Sequence, residues 1–145
     1  MIFSNFKLHQ IAFQRLNIII FRHSVEAEDI QLTHTGVESL IFNGIPDWVT
    51  EEDVFEDNSA LWWSPDGSKL VYGVFNDTMV NVVNLPRYGS WHKSRIDSQG
   101  YPFLQYPEME ELRYPKAGTT NPTFALWYAD VGSPGNFKIC YLPYG

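Results

Sequence analysis

The chain has 145 residues, 44% hydrophobic and 19% charged, a balance that excludes a disordered segment and fits one globular unit. Its formal net charge of -7 excludes the clustered Lys and Arg of a nucleic-acid surface and otherwise implies little beyond solubility. Aromatic residues make up 16% and fall in short β-like runs, which favours an all-β protein over a helical bundle.

In chain order, alternating and β-branched residues predict a strand pair, 11–15 and 18–21, around Leu16-Asn17. A strand over 30–33 follows and ends at Thr35-Gly36. The next, 40–42, is closed by the turn dipeptide Asn43-Gly44. The run Asp47-Trp48-Val49-Thr50-Glu51-Glu52-Asp53-Val54-Phe55 then breaks the pattern and predicts a short helical turn, with Asp47 or Thr50 as its cap. Acids in its first turn suit the helix dipole. So short a helix is not stable alone and must be held by its surroundings.

Strands resume at 60–63, run into the β-turn Ser64-Pro65-Asp66-Gly67, and continue over 69–75. Asn76-Asp77 turns the chain into a strand over 79–83. The two hairpin-like patterns, 9–21 and 68–80, form a weak internal repeat. The polar stretch 86–105 reads as a long loop, 108–113 as a strand or a turn, and 123–128 as a strand. A turn is expected at Gly132-Ser133-Pro134-Gly135. Trp48, Phe55, Trp62 and Trp63 are expected to be packing residues.

The chemistry-bearing motifs are few. No G-x-S-x-G nucleophile elbow occurs, so no catalytic residue is assigned. His9, His23, His34 and His92 lack metal-ligand spacing, and no glycine-rich phosphate loop is present, so neither metal nor cofactor is expected. Cys140 is the only cysteine. It is either a free thiol or has its partner beyond residue 145. No stretch reads as a signal peptide or membrane anchor. Asn76-Asp77-Thr78 is an N-glycosylation sequon.

Four segments together point to one family. Asn43-Gly44-Ile45-Pro46-Asp47-Trp48-Val49-Thr50-Glu51-Glu52-Asp53-Val54-Phe55 resembles N-G-I-x-D-W-V-Y-E-E-E-V-F of the dipeptidyl peptidase IV family. Ala60-Leu61-Trp62-Trp63-Ser64-Pro65-Asp66-Gly67 resembles its A-L-W-W-S-P-x-G, and Phe75-Asn76-Asp77-Thr78 its F-N-D-T. Tyr114-Pro115-Lys116-Ala117-Gly118 with Asn121-Pro122-Thr123 resembles its Y-P-K-A-G-x-x-N-P-T. The motifs keep the family's order over residues 9–128, and the end, 129–145, matches poorly.

This resemblance implies a fragment of an N-terminal eight-bladed β-propeller, about two blades, with a short inserted helix carrying acidic residues. In complete members the propeller joins an α/β-hydrolase domain with a Ser-Asp-His triad, and the reaction removes N-terminal dipeptides after Pro or Ala. The family's two amine-binding acids fall on Glu52 and Asp53, so the implied partner is the amino terminus of a peptide. Asp53 stands where Glu is usual, and Thr50 where Tyr is usual. The resemblance also implies an extracellular or plasma-membrane parent, a glycan on Asn76 and a homodimer. A second reading stands beside it: the parent is a catalytically inactive relative that acts as an auxiliary membrane-protein partner.

Overall fold

The computed structural model describes residues 2–5, 10–88, 106–133 and 137–142. The expected turn at 132–135 is described only as far as a bend at Gly132-Ser133, and most of the expected loop 86–105 lies outside the described residues.

The fold is almost entirely β. Strands β1 (Ile2–Asn5), β2 (Gln10–Arg15), β3 (Ile18–Arg22) and β4 (Ile30–Gln31) form one antiparallel sheet in sequence order. The β2–β3 hairpin turns on Leu16 and Asn17, both at positive φ, which is the type I′ geometry that matches strand twist. The strand expected over 30–33 is shorter. Beyond Gln31, Leu32 still donates to the Ile19 carbonyl, but the Thr33 hydroxyl, not its backbone, accepts from the Ile19 amide at 2.8 Å.

The second sheet holds β5 (Ile41–Asn43), β6 (Leu61–Trp63), β7 (Lys69–Asn76), β10 (Thr123–Asp130) and β11 (Lys138–Leu142). β10 pairs with β7 along its whole length, and β11 closes the sheet beyond it, so the chain is still in register at residues 138–142. Along the other edge of β7, β5 faces residues 74–76 and β6 faces residues 70–72. The two short strands therefore lie end to end as one strand track. Between them the chain leaves the sheet at Gly44 and returns at Ala60, both opposite Gly73.

A two-stranded ribbon, β8 (Val82–Arg87) with β9 (Glu108–Arg113), stands between β7 and β10 in sequence. Two expectations change here. Residues 77–80 form a turn, with the Val80 amide donating to the Asp77 carbonyl, so the strand starts at Val82 rather than Met79. It also runs through Pro86 and Arg87, at the start of the stretch expected to be a loop. Residues 108–113 resolve as a strand.

The core lies between the two sheets. Ala12, Ile19, Phe21 and Leu32 from the first meet Leu61, Leu70, Tyr72, Ala129 and Val131 from the second. Strand alternation sends Leu70 and Tyr72 to that core and turns Phe75 to the opposite face. Trp63 packs against the core as expected. Trp48 and Trp62 do not: they are 48% and 43% exposed, and Phe55 is half-buried. Trp62 follows Leu61 on a strand, so its ring must point to the other face. No helix among the described residues is long and apolar enough to cross a membrane.

Candidate functional site

The excursion over residues 45–59 carries the acidic motif, and its two ends are tied together. The Gly44 amide donates to the Gly73 carbonyl at 2.7 Å, the Gly73 amide to the Ala60 carbonyl at 2.8 Å, and the Ala60 amide to the Gly44 carbonyl at 2.9 Å. Three residues thus close a neck, and the segment between has the closed ends of an Ω loop. Glycine is required at two of these positions. Gly44 sits at φ +72°, and a Cβ there would come 2.7 Å from Gln14 Nε2. At Gly73 a Cβ would come 2.7 Å from the Phe124 ring.

The neck is also tied to the first sheet. The Gln14 side-chain amide donates to the Gly44 carbonyl. Asn43, fully buried, donates from Nδ2 to the Asn17 carbonyl at 2.8 Å and accepts from the Thr35 hydroxyl at 3.1 Å.

Above the neck the chain forms α1 (Trp48–Thr50), which passes directly into a π-helical turn (Glu51–Phe55). Asp47 is the cap. Its Oδ1 accepts from the Thr50 amide at 3.1 Å and its Oδ2 from the Thr50 hydroxyl at 2.6 Å. Thr50 is therefore the capped residue and not the cap. Phe55 anchors the far end, edge-on to Phe75 and Trp62 with centroids 6.1 Å away in each case. Trp48 meets Tyr114 edge-on at 5.8 Å. These contacts supply the external support that so short a helix needs. π-Helical turns recur at functional sites.

Glu52 and Asp53 both lie on this π turn and both are exposed. Glu51 and Glu52 line an open, polar concavity of about 500 Å³ together with Glu56, Asp57 and Asn58. Asp53 is on the same turn but is not part of that lining. Glu56 and Asp57 were not singled out from sequence. They join because Glu56 takes the left-handed conformation, φ 52°, and ends the turn by reversing the chain. The signal was there, since five of residues 51–57 are acidic. Among the described residues none of these five carboxylates is ion-paired. Such a surface attracts cations.

A second acid-containing cavity, of about 320 Å³, lies on the other side of Glu51, against β9 and the end of β7. Asp77, 3% exposed, reaches it, and its Oδ1 is buried with no hydrogen-bond partner among the described residues. Burial first, and then the negative charge of Asp47, push the Asp77 carboxyl up to about 6, against the lowering effect of Arg113. Asp77 went unnoticed in the sequence because it reads as the middle of a sequon. Asn76 and Thr78, the two ends of that sequon, are exposed, and the Asn76 side-chain oxygen accepts from the Thr78 amide at 2.9 Å.

Cys140 has no disulfide and is half-buried opposite Tyr128 in the β10–β11 register. Among the described residues no group of three or more His, Cys, Asp or Glu could hold a metal ion.

Comparison with known proteins shows the family to which the chain belongs. Residues 4–142 match the family model described as the dipeptidyl peptidase IV (DPP IV) N-terminal region. The chain is 44% identical over 113 residues to venom dipeptidyl peptidase 4 of Apis mellifera, covering 78% of this chain and 13% of that protein. It is 38% identical over 123 residues to dipeptidyl peptidase 4 of Sus scrofa, covering 85% and 15%. It is also 38% identical over 125 residues to prolyl endopeptidase FAP of Bos taurus, covering 86% and 15%. The crystal structure of Porphyromonas gingivalis dipeptidyl peptidase 4 superposes with a TM-score of 0.77 at 26% identity, over 100% of this chain and 18% of that one. The chain thus spans less than a fifth of the length of each of these proteins, and it belongs to the dipeptidyl peptidase IV N-terminal region family.

Proposed function

We propose that this chain is the part of a dipeptidyl-peptidase-IV-like serine peptidase that holds the amino terminus of the peptide substrate. Glu52 and Asp53 accept hydrogen bonds from the α-ammonium group, with Glu51 and Glu56 adding negative potential around them. The chemistry suits the residues. An α-ammonium offers three donors and one positive charge, and two carboxylates satisfy two donors and neutralise it. A clamp fixed at a set distance from a nucleophile on another domain decides which peptide bond is cut, which is catalysis by positioning. Bond cleavage itself belongs to the hydrolase domain of the complete protein.

The observation that carries this reading is the unpaired acidic surface on a π turn whose neck, cap and far end are all fixed. Membership of the family supports the same conclusion. The two antiparallel sheets support the partial-propeller architecture, since each runs as four strand tracks once β5 and β6 are taken as one. The exposed sequon at Asn76 supports an extracellular or membrane-anchored parent bearing a glycan there.

The test uses the 145-residue chain and Ala-Pro amide, followed by NMR. Saturable shifts confined to residues 51–57, lost on N-acetylation of the ligand and in the Glu52→Gln/Asp53→Asn variant, are expected. Equal binding of the free and acetylated ligands would overturn the clamp.

A further inference from the structure

Between the two sheets lies an open apolar groove of about 360 Å³ that the amine clamp does not use. Its walls include Leu32 from the segment after β4, Ile41 from β5, Tyr72 and Val74 from β7, Trp127 from β10 and Ile139 from β11. Trp127 is held edge-on by Tyr141 with ring centroids 5.4 Å apart, so the aromatic wall is supported from behind. Three polar residues beside these are already committed. The Thr33 hydroxyl accepts from the Ile19 amide, and the Thr35 hydroxyl donates to Asn43 Oδ1.

Asn76 also lines this groove, and it is exposed. Strand alternation puts Tyr72, Val74 and Asn76 on one face of β7 and Phe75, which carries the Phe55 contact, on the other. The groove is therefore on the opposite face of β7 from the anchor of the acidic turn. Asn76 opens Asn76-Asp77-Thr78, and no other Asn-x-Ser/Thr with x other than Pro occurs in the 145 residues. Its Oδ1 accepts from the Thr78 amide at 2.9 Å, while Nδ2 has no acceptor among the described residues. The residue to which a glycan can be attached is thus itself part of the lining of an apolar groove.

We propose that the first N-acetylglucosamine of a glycan on Asn76 packs into this groove, with its C–H face and acetyl methyl against Trp127 and Ile139 and its hydroxyls towards water. This rests on the reading of the parent as an extracellular or membrane-anchored glycoprotein and is independent of the amine clamp. In the attaching step Nδ2 of Asn76 bonds to the anomeric carbon of a lipid-diphosphate-linked oligosaccharide. The bond from that carbon to the diphosphate oxygen breaks, the lipid diphosphate leaves with the electron pair, and the amide gives up one proton. Three features favour a tethered sugar as the occupant. The groove is apolar inside and open to solvent, which suits a ring with one apolar and one polar face. The attachment point belongs to the lining, so packing is intramolecular and pays no cost of association. The volume lies at the small end of ligand pockets, which suits one ring rather than a branched chain. Ile139 is 42% exposed, and covering it together with Trp127 removes apolar surface from water and ties β7 to β10 and β11.

For the test, the 145-residue chain is secreted behind a cleavable signal from a host that makes high-mannose glycans, then trimmed by an endoglycosidase to a single N-acetylglucosamine. Mass spectrometry reads occupancy of Asn76, and NMR reads the sugar. The proposal expects nuclear Overhauser contacts from the acetyl methyl to the Trp127 indole, with that methyl shifted upfield by the ring. It also expects a melting midpoint about 2–4 °C above that of Thr78→Ala, which loses the sequon but keeps Asn76. This gap should shrink in Ile139→Ser, a change at an exposed position of β11. The Overhauser contacts are read on the unsubstituted chain, so they decide the matter even if a variant fails to fold. An occupied Asn76 whose methyl has the shift of free N-acetylglucosaminyl-asparagine and no contact to Trp127 would overturn the packing and leave the glycoprotein reading standing. A secreted chain with Asn76 unmodified would overturn both and leave the clamp untouched. An undiminished gap in Ile139→Ser, or a Thr78→Ala dimer whose interface covers Trp127, would also overturn the proposal, the latter giving the groove to a second copy.

Discussion

The Ala60 amide donates to the Gly44 carbonyl at 2.9 Å, joining two residues between which the whole acidic excursion is strung. The backbone at Gly44 needs a left-handed conformation and leaves no room for a Cβ beside Gln14 and Ile19. Gly118 has a similar φ, +79°, with nothing within 4 Å of the Cβ position. Gly118→Ala should therefore cost only the conformational term, about 1–2 kcal/mol. Gly44→Ala adds overlap and disturbs the Gln14 hydrogen bond, and should cost about 3 kcal/mol or more. Urea unfolding of the two variants checks this. Equal losses would show that the neck is not the constrained point.

Asp47 acts both as a cap and as a charge. Asp47→Ala should destabilise the fold by ~0.5–2 kcal/mol through loss of the Thr50 contacts. Asp47→Asn keeps an oxygen for the Thr50 amide but removes the negative charge. It should bring the Asp77 carboxyl down from about 6 towards its ordinary range. A carboxyl-carbon NMR titration of Asp77 reads this directly. No movement would mean that burial alone holds it up.

The Asp77 carboxyl sits above its ordinary 3.8, so between that value and about 6 the folded chain binds more protons than the unfolded one. Its contribution is then most favourable in acid and is lost as pH rises through about 6. Asp77→Asn removes that dependence. The stability of Asp77→Asn relative to wild type should rise from about pH 4 and level off above about 6, with no further change up to pH 8. A flat difference in unfolding midpoint across this range would refute the assignment.

Asp66 behaves in the opposite sense. It accepts from the Ser64 hydroxyl at 2.6 Å, the Ser68 hydroxyl at 2.8 Å and the Ser68 amide at 3.1 Å, and these bonds pull its carboxyl down to about 2. Its contribution is present above the ordinary carboxylate range and is lost as pH falls through about 2. Asp66→Ala should be less stable than wild type at neutral pH, and the gap should close in strong acid. A gap that persists at pH 1.5 would point to a packing role instead.

Local chemistry was readable wherever it decides local structure. Leu16-Asn17, Ser64–Gly67 and the Asp47 cap follow from turn and helix-end preferences within a few residues. The family motifs placed Glu52 and Asp53 on a helical turn, where they are found. What stayed hidden depends on distant partners. β5 and β6 are three residues each, and only the Gly73 backbone shows that they share one track. The Glu-rich β9 has poor intrinsic strand preference and is held by its pairing with β8. Trp48 and Trp62 look like core residues by type, but their face is set by the excursion and by strand parity. Asp77 is unremarkable in sequence, and its environment comes from Asp47, thirty positions earlier, and from Arg113 on β9.

The shared partner at Gly73 has a consequence for variation in length. Because the chain departs and re-enters opposite a single residue of β7, adding or deleting residues between 45 and 59 shifts no pairing in the rest of the sheet. Ordinary insertions into a strand flip every following side chain to the wrong face. This one does not, since β6 resumes the alternation that β5 began. The position is a socket in which a different loop could be seated without rebuilding the scaffold beneath it.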